Sequence, residues 1–274
     1  MSDIWLQGPL TSAAYGWRLE RRDGVTLGFT SHDRDVELDG LLYRASPGMV
    51  PSSITETSGL DTDGLDVRGA ITADAIRADD LRAGRWDGAT LSIFLFDWSD
   101  PGAGIRPLAR GELGAISHSG DNFEAELKGP AAQLNRPVAP FTSPGCRAAF
   151  CDAAYGLSAA RFTHRAKVAG VTGSVLTLMQ PLPLSANVLA FGSLRWLDGA
   201  NCGLTADILA SDATTVQLAS PPAFPVTANA KIELVEGCDR TLATCSSRFA
   251  NAINFRGEPY LPGNDLLTRY PGAS

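Results

Sequence analysis

Alternation of apolar and polar residues, which is typical of half-buried β-strands, dominates the first forty-five residues. Apolar side chains recur at every second position over 17–19, 25–29 and 36–38, and Asp-Gly pairs at 23–24 and 39–40 mark tight turns. An Asp-Gly pair between alternating runs is a strong β-hairpin signal. We therefore predict a β-meander over this region.

The next strand and the helices follow from a change in this pattern. The run ATLSIFLFDW at 89–98 is almost continuously apolar, which indicates a strand buried on both faces. Before it, residues 71–88 favour a short helix with Thr72 as N-cap, Ile76 and Leu81 on one face, and Gly84 as its end. A second short helix is predicted over 129–138, and a third contains Cys245 and is capped by Thr241.

A change in amino-acid composition near residue 140 indicates a domain boundary. A segment rich in Pro and Gly carries Cys146 and Cys151, and a stretch of short apolar runs with little charge follows it. We predict a mainly β protein with two successive β-barrel or β-sandwich-like units, few short helices and a C-terminal cysteine-bound metal-cluster segment. The predicted parts are an N-terminal β-rich domain (1–140), a linker with the first cysteine pair (141–160), a small β domain (161–236) and the cluster-binding segment with its tail (237–274).

Composition and charge exclude several classes of protein. The chain has 274 residues, a net charge of -7 and 44% hydrophobic residues, which suits a globular protein. An acidic chain lacks the clustered Lys and Arg of sequence-specific nucleic-acid binding. No apolar run reaches the length of about 20 residues that a membrane helix needs, and the N-terminus does not resemble a signal peptide. We therefore expect folding in the cytoplasm, where the five cysteines are not expected to form a disulfide framework.

The cysteine layout is the main candidate for chemistry. Cys146 and Cys151 precede the second β unit, and Cys238 and Cys245 follow it. A compact barrel with adjacent ends would bring the two pairs together at little further loop entropy. Four thiolates in this layout are typical of a structural metal or iron–sulfur site. The wide spacing of the second pair suits a cluster better than zinc, but zinc and buried cysteines without a ligand both stay open at this point.

The C-terminal stretch GCDRTLATCSSRFANAINFRGEPYLPGND resembles a known family: the phage conserved hypothetical proteins that form the tail-tip hub of siphophage-like particles, including gene transfer agents. The tail-tip protein L of phage lambda is a distant relative of that family. Weaker similarity covers the whole chain, through LDTDGLDVRGAI, DDLRAGRWDGATLSIFLFDW and CRAAFCDAAYGL. The motif falls on Gly237, Cys238, Asp239, Cys245, Arg248, Phe249, Asn251, Asn254, Phe255, Arg256, Gly257, Pro262, Gly263 and Asn264.

The resemblance implies a structural protein, not an enzyme. It implies a baseplate hub subunit, a homotrimer, in a ring between a distal tail protein above and a host-penetrating tip protein below, through which DNA passes transiently. It implies an iron–sulfur cluster, [4Fe-4S], held by four cysteines. The protein would be assembled in the bacterial cytoplasm and released in the tail tip of a phage-like particle.

One departure from the family pattern concerns the first cysteine pair. The family carries Gly at the position of Cys151 and its second Cys at the position of Tyr155. We therefore expect the ligands Cys146, Cys151, Cys238 and Cys245, with Cys202 as a substitute for Cys151. Hydrogen bonds that support the cysteine ligands are expected from Asn251, Asn254 and Arg256, whose segment would cover the cluster.

Other candidate sites have simpler interpretations. DTDGLD at 61–66 resembles a calcium loop but has Thr72 where the last bidentate ligand belongs, so we interpret it as a solvated turn. HDRD at 32–35 is interpreted as a polar turn before a strand at Val36. His32, His118 and His164 are expected at the surface.

Two alternatives to the structural hub come from other classes of protein. One is a zinc-stabilised tail-tip module that binds a cell-surface receptor or glycan. The other is a cysteine-type cell-wall hydrolase that pairs Cys151 with His164. No local nucleophile motif surrounds either residue.

Overall fold

The computed structural model describes residues 5, 12–46, 64–70, 76–119, 122–129 and 139–261, with only the backbone over 64–70, 115–119 and 122–127. The chain divides into two compact units, residues 1–138 and 139–274. Within the described ranges, no helix has the length and apolar character needed to cross a membrane. Outside this description lie Asp61, Thr72, the side chain of His118, the motif residues 262–264 and all but Gly129 of the helix predicted over 129–138.

The first unit is built on one sheet of eight strands. Their order across the sheet is β3-β4-β2-β1-β6-β7-β8-β5, and one short helix, α1 (Ala78–Arg82), precedes β6. The strands are β1 (Ala13–Glu20), β2 (Thr26–Thr30), β3 (Val36–Leu38), β4 (Leu41–Ala45), β5 (Gly64–Ala70), β6 (Thr90–Asp97), β7 (Ile105–Ser119) and β8 (Asn122–Lys128).

The predicted meander is only half right. Both hairpins form, and residues 31–34 bend before β3 begins at Val36, as expected. However, β4 lies between β3 and β2 and pairs with β2 in parallel, with Tyr43 opposite Gly28. A Cβ on Gly28 would lie 2.9 Å from the Tyr43 ring, so this glycine makes room for the aromatic ring that joins the strands.

Strand β6 is buried on both faces, as predicted. Leu91 and Ile93 enter one core cluster with Trp17 of β1, whereas Phe94 and Phe96 enter another on the opposite side of the strand. We expected a barrel or sandwich in this first unit as well, and that expectation is wrong for its described part. The described strands form a single sheet with a hydrophobic core on each face. A strand that is apolar on both faces must be covered on both faces. The apolar run in the sequence does not tell whether the covering element is a second sheet or, as here on one face, the segment around α1.

Helix α1 is shorter than predicted. In the described residues it begins at Ala78 after Arg77, which makes no side-chain capping hydrogen bond, and the predicted N-cap Thr72 lies outside those residues. Its end is as predicted, since Gly84 follows in the left-handed conformation with a φ of +72°.

The second unit contains a closed barrel of six strands, which confirms the predicted barrel there. The order around it is β10-β13-β12-β11-β14-β9, so its first and last strands are neighbours, and Thr163 pairs with Val235. The strands are β9 (Thr163–Thr172), β10 (Val175–Leu178), β11 (Ser193–Trp196), β12 (Thr205–Ser211), β13 (Thr215–Leu218) and β14 (Lys231–Val235). Because the start of β9 pairs with the end of β14, the chain segment that enters the barrel lies next to the segment that leaves it.

Helix α2 (Leu242–Ser247) follows the barrel. The Thr241 side chain accepts a hydrogen bond from the Thr244 N–H at 3.2 Å, which confirms Thr241 as its N-cap. Cys245 is the buried residue of this helix. Helix α2 therefore turns one of the four predicted ligands inward.

Candidate cysteine site

Four of the five cysteines gather where the chain enters and leaves the barrel. Cys146, Cys151 and Cys238 belong to one apolar cluster, and Cys245 is buried within electrostatic reach of Cys146 and Cys238. Cys202 lies elsewhere, exposed in the loop between β11 and β12, and its Sγ donates to the Leu197 carbonyl at 3.3 Å. The structure thus groups the four expected cysteines without Cys202, while their role as ligands stays a prediction.

The segments that carry the two cysteine pairs are joined backbone to backbone. The Cys146 N–H donates to the Arg240 carbonyl at 2.8 Å, and the Arg147 N–H donates to the Arg256 carbonyl at 3.0 Å. At the same crossing, a Cβ on Gly257 would lie 2.6 Å from the Gly145 carbonyl oxygen, so the approach requires glycine. The first pair and the C-terminal segment therefore form one structural element.

An ion pair also joins the segment of the first cysteine pair to the C-terminal segment. The Arg147 guanidinium donates to both carboxylate oxygens of Glu258, at 2.6 and 2.8 Å, and the Ser143 N–H donates to the same carboxylate at 2.9 Å. These hydrogen bonds, the one from Arg147 first, lower the pKa of Glu258 to about 2. The carboxylate is therefore charged at any physiological pH.

A tight turn built around Asp152 places Cys151 and Tyr155. The Asp152 carboxylate accepts from the N–H groups of Ala149, at 2.9 Å, and of Tyr155, at 2.6 Å. Within this turn Cys151 has a φ of +62°, in the left-handed region that favours glycine. The turn thus holds a cysteine in a conformation that costs a non-glycine residue energy.

Tyr155 reaches the other cysteine pair. Its side chain is buried, with 2% exposure, and its hydroxyl donates a hydrogen bond to Cys238 Sγ at 3.8 Å. Burial, this hydrogen bond and the nearby thiols of Cys238, Cys245 and Cys151 all raise the pKa of Tyr155. The phenol is therefore a neutral donor within the site.

Aromatic rings surround the thiols. Phe150, Tyr155, Phe162 and Phe249 lie with ring centroids 5.2 to 6.0 Å apart, several of them edge to face. Burial is also the largest cause of the raised pKa values of Cys151 and Cys245, to which the neighbouring thiols add. Without a bound cation, these thiols are protonated and inert at neutral pH.

Asn251, Asn254 and Arg256, which were expected to support the cysteine ligands, each make a defined hydrogen bond near the site. The Asn251 side chain is buried and donates to the Tyr155 carbonyl at 2.7 Å, and Asn254 donates to the Asn251 side-chain oxygen at 2.8 Å. Arg256 acts through its backbone, whose N–H donates to Cys146 Sγ at 3.3 Å. N–H donors to sulfur are a known way of tuning thiolate ligands, and this role stays a prediction here.

Arg248 attaches the cysteine site to the barrel, a role that the sequence reasoning missed. Its guanidinium donates to the carbonyls of Gly237 and Val188, at 3.0 and 2.8 Å, and to the Glu236 carboxylate at 2.5 Å. Val188 is 60 residues from Arg248 in the chain. Because this contact is so distant in the chain, the sequence around Arg248 gave no sign of it beyond the presence of Arg248 in the C-terminal motif.

The described ranges contain no group of three or more His, Cys, Asp or Glu side chains placed to hold a single metal ion. Cys146, Cys151 and Cys238 share one apolar cluster, and the buried Cys245 interacts electrostatically with Cys146 and Cys238. The predicted metal-cluster segment is therefore not shown by the described residues, and the cluster and zinc both stay predictions.

The chemistry of a cysteine hydrolase is not supported by the geometry. His164 shares a hydrogen bond at 2.8 Å with Glu236, and the pKa of Cys151 is raised by burial and by Glu236, whereas a nucleophilic cysteine needs a lowered pKa. A cavity of about 530 Å³ on the barrel has neither cysteine nor histidine among its lining residues, which include Arg165, Lys167 and Met179.

Comparisons with known proteins agree with this architecture. Residues 3–158 match the family described as "Baseplate hub protein, N-terminal attachment domain", and residues 187–265 match "Phage conserved hypothetical protein BR0599". No curated protein sequence matches the chain. A solved chain from a structure described as "Virion of native gene transfer agent (GTA) particle" is 33% identical, with a TM-score of 0.85 over 99% of this chain and 96% of that chain.

Proposed function

We infer the function of this chain from one premise: it belongs to the baseplate hub protein family. We propose that it is a structural subunit of the tail-tip hub of a phage-like particle of the gene transfer agent type. The observation that carries this proposal is the similarity to a chain of such a virion over 99% of the sequence. Membership of a baseplate hub family suggests a structural role and not an enzymatic one.

The subunit works within a ring, a homotrimer, between a distal tail protein and a host-penetrating tip protein. The sheet of the first unit supports assembly, because in the described residues no strand pairs with the outer edge of β3 or β5. An exposed strand edge can pair with another chain, and ring neighbours would cover these edges. The net charge of -7 suits a channel through which DNA passes without binding.

The cysteine site holds an iron–sulfur cluster, with Cys146, Cys151, Cys238 and Cys245 as ligands. The donor set supports this proposal: three of the thiols share an apolar cluster with aromatic rings, Cys245 is buried within electrostatic reach of two of them, and the Arg256 N–H donates to Cys146 Sγ. When bound, the cluster supplies cross-links and not catalysis. It ties the segment before the barrel to the segment after it, and its binding adds to the folding free energy.

Substitution of the ligands tests the proposal in the particle. Particles assembled with Cys238→Ser or Cys245→Ser should lack the tail tip or carry a disordered one, with a loss of infectivity or gene transfer. Cys202→Ser, at an exposed thiol outside the site, is the matched control and should give normal particles. Intact, functional tips from both ligand variants would contradict a structural role for the site.

A further inference from the structure

The cavity of about 530 Å³ on the barrel has two lysines side by side in its wall. Lys167 of β9 lies directly opposite Lys231 of β14 in the antiparallel pairing. Their carbonyls accept from the Met179 and Leu197 N–H groups, outside this strand pair, so the lysines form a non-hydrogen-bonded pair, in which side chains lie closest. Like charges directly opposite each other destabilise a sheet. The free chain therefore carries a local repulsion that an anion in the cavity would remove.

Acidic side chains do not relieve this repulsion from within the cavity. Of the residues that the structure describes, none that lines the cavity is Asp or Glu. The third cation of the wall, Arg165, has the Glu233 carboxylate at 3.5 Å. The nearby Asp198 carboxylate accepts from the backbone N–H of Lys231 at 2.8 Å. The cavity thus offers two ammonium groups to a carboxylate from outside the barrel.

Apolar side chains also line the cavity. Met179 lies beside Lys167, is 49% exposed, and is joined in the wall by Pro181 and Leu182. An exposed methionine adapts to the shape of an apolar partner. The surface that fits this cavity therefore carries an apolar side chain next to its carboxylates.

The edge strand β3 of the first unit carries this combination. Glu37 is exposed on β3, and Asp39 is exposed in the turn that follows it. Leu42 of β4 lies directly opposite Glu37, so both side chains lie on the same face, and Leu42 is 50% exposed. Charges on an edge strand deter pairing with other chains, so this edge suits a partner that supplies the opposite charge.

The acidic charge of the chain lies in its first unit. Residues 1–138 contain 21 Asp and Glu against 13 Lys and Arg, whereas residues 139–274 contain 9 against 10. First units of two copies therefore repel each other, and a first unit is better matched to the barrel unit of another copy.

We propose that the β3 edge of one subunit docks into the cavity of a second copy of this chain. The Glu37 and Asp39 carboxylates pair with the two lysines of the cavity. Leu42 packs against Met179. This inference rests on the proposed hub function and names the contact that builds its ring. Two different surfaces meet, so the contact is head to tail, and copies joined in this way form a ring when the rotation between them closes.

The first arm of the test reverses the charges on one side of the contact at a time. Self-association of the full chain is measured by sedimentation equilibrium. Lys167→Glu/Lys231→Glu places like charges across the contact and should raise the Kd of self-association at least about 100-fold. Glu37→Lys/Asp39→Lys should weaken self-association by a similar factor.

A matched control separates the contact from net charge and from misfolding. Arg195 on β11 is exposed and does not line the cavity. Arg195→Glu should leave self-association unchanged, whereas Lys231→Glu, with the same change in net charge, should weaken it. Lys231→Glu places opposite charges opposite each other in the strand pair, so its Tm should not fall below that of wild type.

The second arm combines the four reversals in one chain. The quadruple variant again presents opposite charges across the contact, so it should regain the self-association that each double variant has lost. A general disturbance of the fold by the four substitutions would not be repaired in this way. Recovery therefore identifies the two surfaces as partners.

The outcomes separate this inference from the hub function on which it rests. A wild-type oligomer that neither double variant weakens, or a quadruple variant that stays dissociated, would overturn the contact and leave the hub function standing. A wild type that is monomeric at all concentrations would overturn the contact as well. Absence of the chain from the tail tip of assembled particles would instead overturn the hub function.

Discussion

Gly237 lies where the cysteine-bearing C-terminal segment comes closest to the barrel. A Cβ at this position would lie 1.8 Å from the Ala190 carbonyl oxygen and 2.3 Å from the Gly192 nitrogen, so the backbone itself would have to move. We expect Gly237→Ala to lower the free energy of unfolding by at least about 3 kcal/mol. Chemical denaturation measures this change.

Gly170 in β9 is the matched control for that substitution. A Cβ there has no neighbour within 4 Å. Gly170→Ala should change the free energy of unfolding by no more than about 0.5 kcal/mol. Equal effects from the two variants would show that the close approach at Gly237 does not exist in solution.

The Glu258 carboxylate gives the cysteine site a defined response to acid. Its pKa is lowered from 4.5 to about 2 by Arg147 and the Ser143 N–H, so the carboxylate stabilises the folded chain above pH 4.5. This stabilisation is lost as the pH falls from about 4.5 towards 2. Wild type should therefore have a higher Tm than Glu258→Gln at pH 7, and the difference should shrink through this window. A difference in Tm that does not depend on pH would contradict the charged pair.

Single residues were predictable where their role is local. Thr241 as a cap and the cysteines as a group follow from spacing and from residue type. Arg248 and Glu258 were not assigned partners, because the groups that they bind lie 60 residues (Val188) and 111 residues (Arg147) away in the chain. Positive φ at Cys151 was also beyond prediction, since a non-glycine residue gives no sign of it.

Arg248 joins two elements, the segment around α2 and the end of the barrel. Removal of its side chain would take away hydrogen bonds to two carbonyls and one carboxylate. Since hydrogen bonds of charged groups contribute about 1.5–3 kcal/mol, we expect Arg248→Ala to lower the free energy of unfolding by about that amount in total, given its partial exposure. Denaturation of the purified chain measures the loss.

Arg195, an exposed arginine on β11, is the control for this element. Arg195→Ala removes the same charge from the barrel and should have a near-neutral effect. If Arg248→Ala were as mild as Arg195→Ala, the carbonyl contacts of Arg248 would not anchor the segment.

The elements themselves were largely predictable, and their order in space was not. Asp-Gly turns predicted two hairpins, and the apolar run at 89–98 predicted the doubly buried strand β6. The parallel pairing of β4 with β2 depends on Tyr43 packing over Gly28, a long-range contact without a sequence period. In contrast, the barrel strands alternate regularly and are separated by clear turns, so the second unit was easier to predict.

The open edges of the eight-stranded sheet lead us to expect that the whole subunit assembles into an oligomer. If the open edges of the eight-stranded sheet are covered by neighbours, the purified chain should form a closed oligomer, a trimer, at high concentration. Sedimentation equilibrium measures the mass. Substitution of Glu37 in β3 by Pro removes a backbone donor from this edge strand and should weaken the oligomer. A strictly monomeric wild type at all concentrations would count against edge-mediated assembly.

Cryo-electron microscopy of the assembled particle would both locate this chain in the tail and show its cysteine site. We predict a ring of this subunit at the tip of the tail, with strong compact density among the Sγ atoms of Cys146, Cys151, Cys238 and Cys245. A tail tip that does not contain this chain, or four thiols with only ordinary protein density among them, would contradict the account.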